Sequence, residues 1–211
     1  MKTDDLIDML AKNVEPAQQQ RLRLRMLGTL IAGLAIAVAL VVTFMGLRPD
    51  IGVATWAVLL KAGFSAAAAA SILPLAMRLM RPGAPLGWRL LAGLIFAGLS
   101  LATAFIALMG APSQERMRAW MGGGFPWCIV LIPIFAAPAA ALMVWLARSL
   151  APTRLTLSGA ALGALSGGVG AMAYAMYCPV DSVAFVTTWY VAAIAICAAL
   201  GAILGARLLR W

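Results

Sequence analysis

The sequence predicts an all-α, polytopic membrane protein: six transmembrane helices with both termini in the cytoplasm. Three observations predict it. Of 211 residues, 64% are hydrophobic and only 11% charged, whereas a soluble domain is about half apolar and a quarter charged. The apolar residues fall in long unbroken runs, which gives a mean hydropathy of +0.98. The cations are sorted between alternate breaks in those runs. The formal net charge of +9 would suggest nucleic acid in a soluble chain. Here the charges flank greasy segments, which is the signature of a membrane protein with lipid as its partner and no direct contact with nucleic acid.

A spanning helix needs ~20 apolar residues to cross ~30 Å of hydrocarbon. Met26–Leu47 meets this without a charge, and so do Leu90–Ala111, Trp127–Ala147, Leu155–Tyr177 and Val183–Ala206. The second span lies within Ile51–Met77 and is interrupted by Lys61. The first 25 residues are too polar to supply the apolar core of a cleavable signal peptide. This divides the chain into a cytoplasmic segment, 1–25, and a six-helix domain, 26–211. Short breaks such as Arg48-Pro49-Asp50 and Ala151-Pro152-Thr153 predict antiparallel neighbours. The longest outer break, Pro112–Pro126, carries Gly122-Gly123-Gly124 and is expected to be a flexible hinge. Pro74, Pro133 and Pro138 lie within spans and should kink them.

Orientation follows from Lys and Arg in the short loops. Twelve of the sixteen cations lie on one side: Lys2, Lys12, Arg21, Arg23, Arg25, Arg78, Arg81, Arg89, Arg148, Arg154, Arg207 and Arg210. Arg48, Arg116 and Arg118 lie on the other, offset by Asp50, Glu115 and Asp181. The basic side belongs in the cytoplasm.

The segment before the first span has its own pattern. Thr3 is a good helix N-cap, and Asp4 and Asp5 suit the positive end of a helix. Leu6, Leu10 and Val14, with Ile7 beside them, form an apolar stripe, and Pro16 limits the helix. So short a helix is marginal alone in water, and its acidic first turns disfavour an anionic lipid surface. Two readings stand: a helix laid in a partner's groove, or a solvated tail.

The chemistry of catalysis is sparse. The chain has no His, no Asp or Glu inside a span, and no C-x-x-C motif, so it is read as a protein without enzymatic activity or cofactor. Lys61 and Ser65 stand one helical turn apart but are not read as a dyad. Lys61 itself lies ~15 Å deep if the span starts near Ile51. A charge so placed is by default a functional site, and it is the one feature that supports a small transporter or permease subunit as the alternative function. The preferred account runs the span from Ala62 to Met77. Ile51–Leu60 then lies along the interface, where Trp56 fits, and Lys61 snorkels to the head groups.

Small residues allow helices to approach closely in lipid. Gly159, Gly163 and Gly167 share one face of the fifth span, and Gly201 and Gly205 repeat the spacing in the sixth. These faces serve either tight packing or a homo-oligomer. Cys128 opens the fourth span and Cys178 closes the fifth, so two consecutive helices carry both thiols to about the same outer height. That boundary faces an oxidising compartment. The pair is either a constitutive disulfide staple or a thiol pair that senses oxidants or soft metals. Cys197 is ~18 Å deep in the sixth span and should be an inert filler.

Several stretches together resemble the NrsF family of bacterial inner-membrane anti-sigma factors. They are the opening Met1-Lys2-Thr3-Asp4-Asp5-Leu6-Ile7-Asp8-Met9-Leu10-Ala11, Pro126-Trp127-Cys128 with Ile132-Pro133 after it, Tyr174-Ala175-Met176-Tyr177-Cys178-Pro179, Phe185 with Trp189-Tyr190, and the closing Arg207-Leu208-Leu209-Arg210-Trp211. The resemblance implies a six-span protein that sequesters an extracytoplasmic-function sigma factor at the membrane. It implies that the cysteines matching Cys128 and Cys178 respond to metal or oxidative stress. On that reading Leu6, Ile7, Leu10 and Val14 hold the sigma factor. Cys197 matches no motif and receives no role.

Overall fold

The computed structural model describes residues 16–81, 87–123, 125–150 and 152–210. The docking stripe expected at Leu6, Ile7, Leu10 and Val14 lies outside them. The described residues form helices and loops: α1 (Pro16–Phe44), α2 (Thr55–Leu79), α3 (Arg89–Gly110), the short α4 (Arg116–Met121), α5 (Trp127–Arg148), α6 (Leu155–Tyr174) and α7 (Val183–Leu208). All but α4 are long and apolar enough to cross a membrane, which agrees with the six expected spans.

Boundaries follow local chemistry. Proline at the first position of α1 costs no hydrogen bond, because that N–H has no helical partner. The helix then runs unbroken through the basic run to Phe44. Past its end Gly46 adopts a φ of +76°. Pro74, Pro133 and Pro138 sit inside α2 and α5 without ending them.

The bundle is built around α6. Of its most apolar window 72% is buried, against 33% or less for every other span. Helices α7, α5, α2 and α1 all pack on it. Glycine makes this possible. A Cβ on Gly159 or Gly163 would strike the backbone of α7 at Gly201 and Cys197, and one on Gly205 would lie 2.6 Å from the Gly159 Cα. On other faces of α6, a Cβ on Gly168 would lie 2.9 Å from the Ala69 Cβ of α2, and one on Gly170 would lie 2.7 Å from the Ala136 N of α5. The glycine faces that could have joined two copies are therefore filled within one chain. Helix α3 is peripheral, with only Ser100 and Ala104 buried.

Two apolar clusters mark the ends of the bundle. One gathers Met26, Ala76, Leu79, Met143, Leu146 and Leu209, beside the basic breaks. The other gathers Ala37, Val41, Cys128, Cys178, Phe185 and Tyr190. The chain enters α1 and leaves α7 at the same, basic end.

Candidate functional site at the cysteine end

Cys128 is the second residue of α5, and Cys178 follows α6 in the loop to α7. Both are wholly buried free thiols in one apolar cluster. The Cys178 Sγ lies 3.8 Å from the Val180 carbonyl oxygen, a weak contact. Tyr174 and Tyr190 share the cluster, with ring centroids 6.1 Å apart. The Tyr190 hydroxyl is buried and has no hydrogen-bond partner among the described residues. Its position depends on a π-helical turn, Val186–Tyr190, near the start of α7. Such turns shift the helix register locally and recur at functional sites.

Beside the thiols lies a clamp of four charges. Lys61 Nζ donates to the Cys178 carbonyl at 2.7 Å, the Val180 carbonyl at 3.2 Å and Asp181 Oδ1 at 2.8 Å. Arg48 Nη1 and Nη2 donate to Asp181 Oδ1 and Oδ2 at 2.9 and 3.1 Å. Arg48 Nε and Nη2 donate to the two oxygens of Asp50 at 2.7 and 2.8 Å, and Nη1 also reaches the Cys178 carbonyl at 3.3 Å. Lys61 and Arg48 are 3% and 5% exposed. Charges so shielded persist only when paired and hydrogen-bonded. Hydrogen bonds from Arg48 hold the Asp50 and Asp181 carboxyls below the ordinary carboxylate range, and Lys61 adds to this at Asp181. Asp50 and then Asp181 push the Arg48 guanidinium above its ordinary value. The Cys178 peptide is thus tied to the loop after α1 and to the first turns of α2.

This corrects the snorkelling account of Lys61. Helix α2 begins at Thr55, which places Lys61 ~9 Å in by helical rise rather than near the midplane. Its ammonium turns inward to Asp181, because a carboxylate and two carbonyls there replace water. The Ser65 hydroxyl donates back to the Lys61 carbonyl at 2.9 Å, so it makes no pair with the ammonium. The longest outer break also differs from expectation. It folds as α4, and α4 docks on the start of α7: Ser182 Oγ donates to the Ala119 carbonyl at 2.6 Å and Trp189 Nε1 to the Trp120 carbonyl at 2.8 Å. Gly122 is no loose link. Its φ is +52°, and a Cβ there would lie 2.7 Å from Val180 Cγ1.

The structure brings together Cys128, Cys178 and Lys61. Sequence reasoning left Asp181 and Arg48 as mere charge balance in outer loops, and that balance was the one signal that could have paired them. Cys197 is buried against α6, where a Cβ on Gly167 would lie 2.9 Å from its own. Among the described residues no group of three or more His, Cys, Asp or Glu is placed to hold a metal ion.

Comparison with known proteins places the chain in a family. No solved structure matches significantly. The family model described as "NrsF: Negative regulator of sigma F" matches residues 10–211. A "Probable anti-sigma-F factor NrsF" of Azospira oryzae is 35% identical over the full length of both chains. An "Anti-sigma-F factor NrsF" of Caulobacter vibrioides is 33% identical, again over both full lengths. A chain matched from end to end in this way belongs to the NrsF family of negative regulators of sigma F.

Proposed function

We propose that this protein is a membrane-embedded anti-sigma factor of the bacterial inner membrane. It sequesters a sigma factor of the extracytoplasmic-function class and releases it when metal or oxidant reacts with Cys128 and Cys178. The observation that carries the reading is the full-length likeness to two proteins named as anti-sigma-F factors. Its sidedness rests on the cation count, which favours both termini in the cytoplasm and the thiols at the outer face. The sigma factor is held by the N-terminal segment through Leu6, Ile7, Leu10 and Val14.

The clamp suggests how the thiols act. Buried thiols are inert until exposed, so reagents react with the state in which the α6–α7 loop has lifted. The same Cys178 residue bears the sulfur and accepts hydrogen bonds from Lys61 and Arg48 at its carbonyl. Modified sulfur no longer fits the apolar cluster, so the loop stays lifted and α6, the hub, loses its outer anchor. A signal can shift an equilibrium only by its differential affinity for the two states. Moving from about 1% to 99% released needs ~5.5 kcal/mol, a scale that soft-metal binding reaches and that disulfide formation, at ~2–4 kcal/mol, approaches.

The test is co-purification of the sigma factor with the full chain from membranes. Leu6→Asp and Leu10→Asp are expected to lose a sigma factor that the wild type retains, while Cys128→Ser and Cys178→Ser retain it after cadmium or peroxide. Equal recovery with the Leu6→Asp and Leu10→Asp chains overturns the docking segment. Normal release from both serine variants overturns the thiol trigger.

A further inference from the structure

We propose that the basic end of the bundle binds the phosphate of an anionic phospholipid in a cleft between α1, α2 and the start of α3. Four arginines from separate stretches converge there: Arg23 of α1, Arg78 of α2, Arg81 just beyond it and Arg89 of α3. They line a cavity of about 290 Å³ whose remaining walls are Leu22, Pro74, Met77 and Trp88. Arg78, Arg81 and Arg89 are half-buried. Among the described residues, no carboxylate lies within ion-pair distance of any of the four, since every such pair involves Arg48 or Lys61. Arg89 is held instead over the Trp88 ring, 5.5 Å from its centroid. Like charges gathered in a concave, partly shielded site call for an anion. The guanidinium fork matches phosphate in two-pronged fashion.

The cleft is amphiphilic, and this selects the lipid. Pro74 and Met77 lie inward of Arg78 on the spanning helix α2, so the opening runs from head-group level down toward hydrocarbon. Helices α1 and α2 follow one another in the chain, yet each packs on α6 rather than on its neighbour. That leaves a lateral gap open to the bilayer. A phosphodiester seats among the guanidiniums while an acyl chain follows the Pro74 and Met77 wall. A small soluble anion would use only the upper half, and an acidic peptide has no need of the lower. Basic clefts between helices at a membrane surface suit anionic head groups for these reasons. The inference needs the chain to sit in a membrane and is independent of the sigma-factor reading.

The test is native mass spectrometry of the full chain in neutral detergent, titrated with phosphatidylglycerol or with phosphatidylethanolamine of the same acyl chains. Phosphatidylglycerol should bind at least about tenfold more tightly. Each of Arg78→Gln and Arg81→Gln should weaken it ~5-fold, from the typical contribution of one basic residue at a membrane surface. Arg207→Gln, outside the cleft, should leave it unchanged. Met77→Trp fills the apolar wall without touching charge and should also weaken phosphatidylglycerol, so the proposal stays testable if an arginine variant folds poorly. Equal binding of the two lipids overturns it. So does displacement of phosphatidylglycerol by millimolar inorganic phosphate, which would mark a site for free anions. A chain carrying Asp4→Asn, Asp5→Asn, Asp8→Asn and Glu15→Gln gives the third check. If it binds phosphatidylglycerol many-fold better than wild type, the acidic N-terminal segment is the occupant and the lipid is not.

Discussion

The two ends of this bundle treat charge in opposite ways. At the cysteine end Arg48 and Lys61 are buried and share Asp181 within 2.9 Å, and Arg48 also holds Asp50 at 2.7 Å. At the basic end Arg23, Arg78, Arg81 and Arg89 converge on a cleft without a carboxylate among the described residues. The first end is closed on itself, and its charges fasten helices together. The second is left for something outside the bundle to complete. On the proposed function this asymmetry has a use: a latch at the end with the thiols, and unsatisfied chemistry at the basic end.

The sharpest way to break the comparison is to remove the anion of the latch. Asp181→Ala leaves Lys61 and Arg48 shielded with one carboxylate between them. Removing one partner of a fully buried pair costs ~3–5 kcal/mol. Here the side chain of Asp181 is 40% exposed and Asp50 still faces Arg48, so about 2–3 kcal/mol is expected, read as a lower thermal midpoint in detergent. Lys61→Met removes a cation whose anion keeps Arg48 and should cost less. The two changes together should fall short of the sum by about 1 kcal/mol or more, as for residues of one network. Full additivity would separate Lys61 from the latch. The same loosening should speed maleimide labelling of Cys178.

Acid tests the latch without mutation. The Asp181 pKa is depressed in the folded protein, first by Arg48 and then by Lys61. Its stabilising contribution is therefore complete above the unfolded value of ~3.9 and fades as pH falls through the lower, folded value. The thermal midpoint should drop below about pH 4 in the wild type, and this part of the drop should be missing in Asp181→Asn. If both chains respond to acid alike, the carboxylate carries no such linkage.

The six spans were legible because lipid imposes one length and one composition on every crossing, and the sidedness of cations survives in any loop. The height of Cys128 and Cys178 was legible too, since helical rise converts residue number into depth. The latch was not. Lys61 and Asp181 are 120 residues apart, and no periodicity links a helix to a distant loop. Without its partner, Lys61 looked like a charge that had to reach the head groups. Nor was the π-helical turn at Val186–Tyr190 legible, because its residues are ordinary helix and strand formers and only packing fixes the wider bond pattern. Gly122-Gly123-Gly124 looked like a hinge because composition reports freedom, while the positive φ of Gly122 and its contact with Val180 report constraint.

Tyr190 offers a smaller test of the cysteine end. Its hydroxyl is buried without a partner among the described residues, and an unsatisfied buried hydroxyl is a cost that Phe would remove. Tyr190→Phe is expected to leave stability unchanged or raise it slightly, by up to about 1 kcal/mol, read as an equal or higher thermal midpoint. A clear loss of stability would reveal that the hydroxyl has an acceptor, with the Cys178 sulfur the first to examine. Retained stability with a slower thiol response would place the hydroxyl in the reaction instead.

The smallest effect is expected at the basic end, and it sharpens the contrast most directly. Arg78→Gln changes one unit of charge, as Asp181→Asn does. Yet Arg78 has no carboxylate partner among the described residues and sits among three other guanidiniums. In neutral detergent its neutralisation should shift stability by no more than about 0.5 kcal/mol, in either direction, since relief of repulsion offsets lost packing of the side-chain stem. Adding phosphatidylglycerol should then stabilise the wild type more than the variant, because a ligand stabilises only the state that binds it. A large loss in plain detergent would mean that Arg78 is already satisfied from within the chain. The two ends would then differ in degree and not in kind.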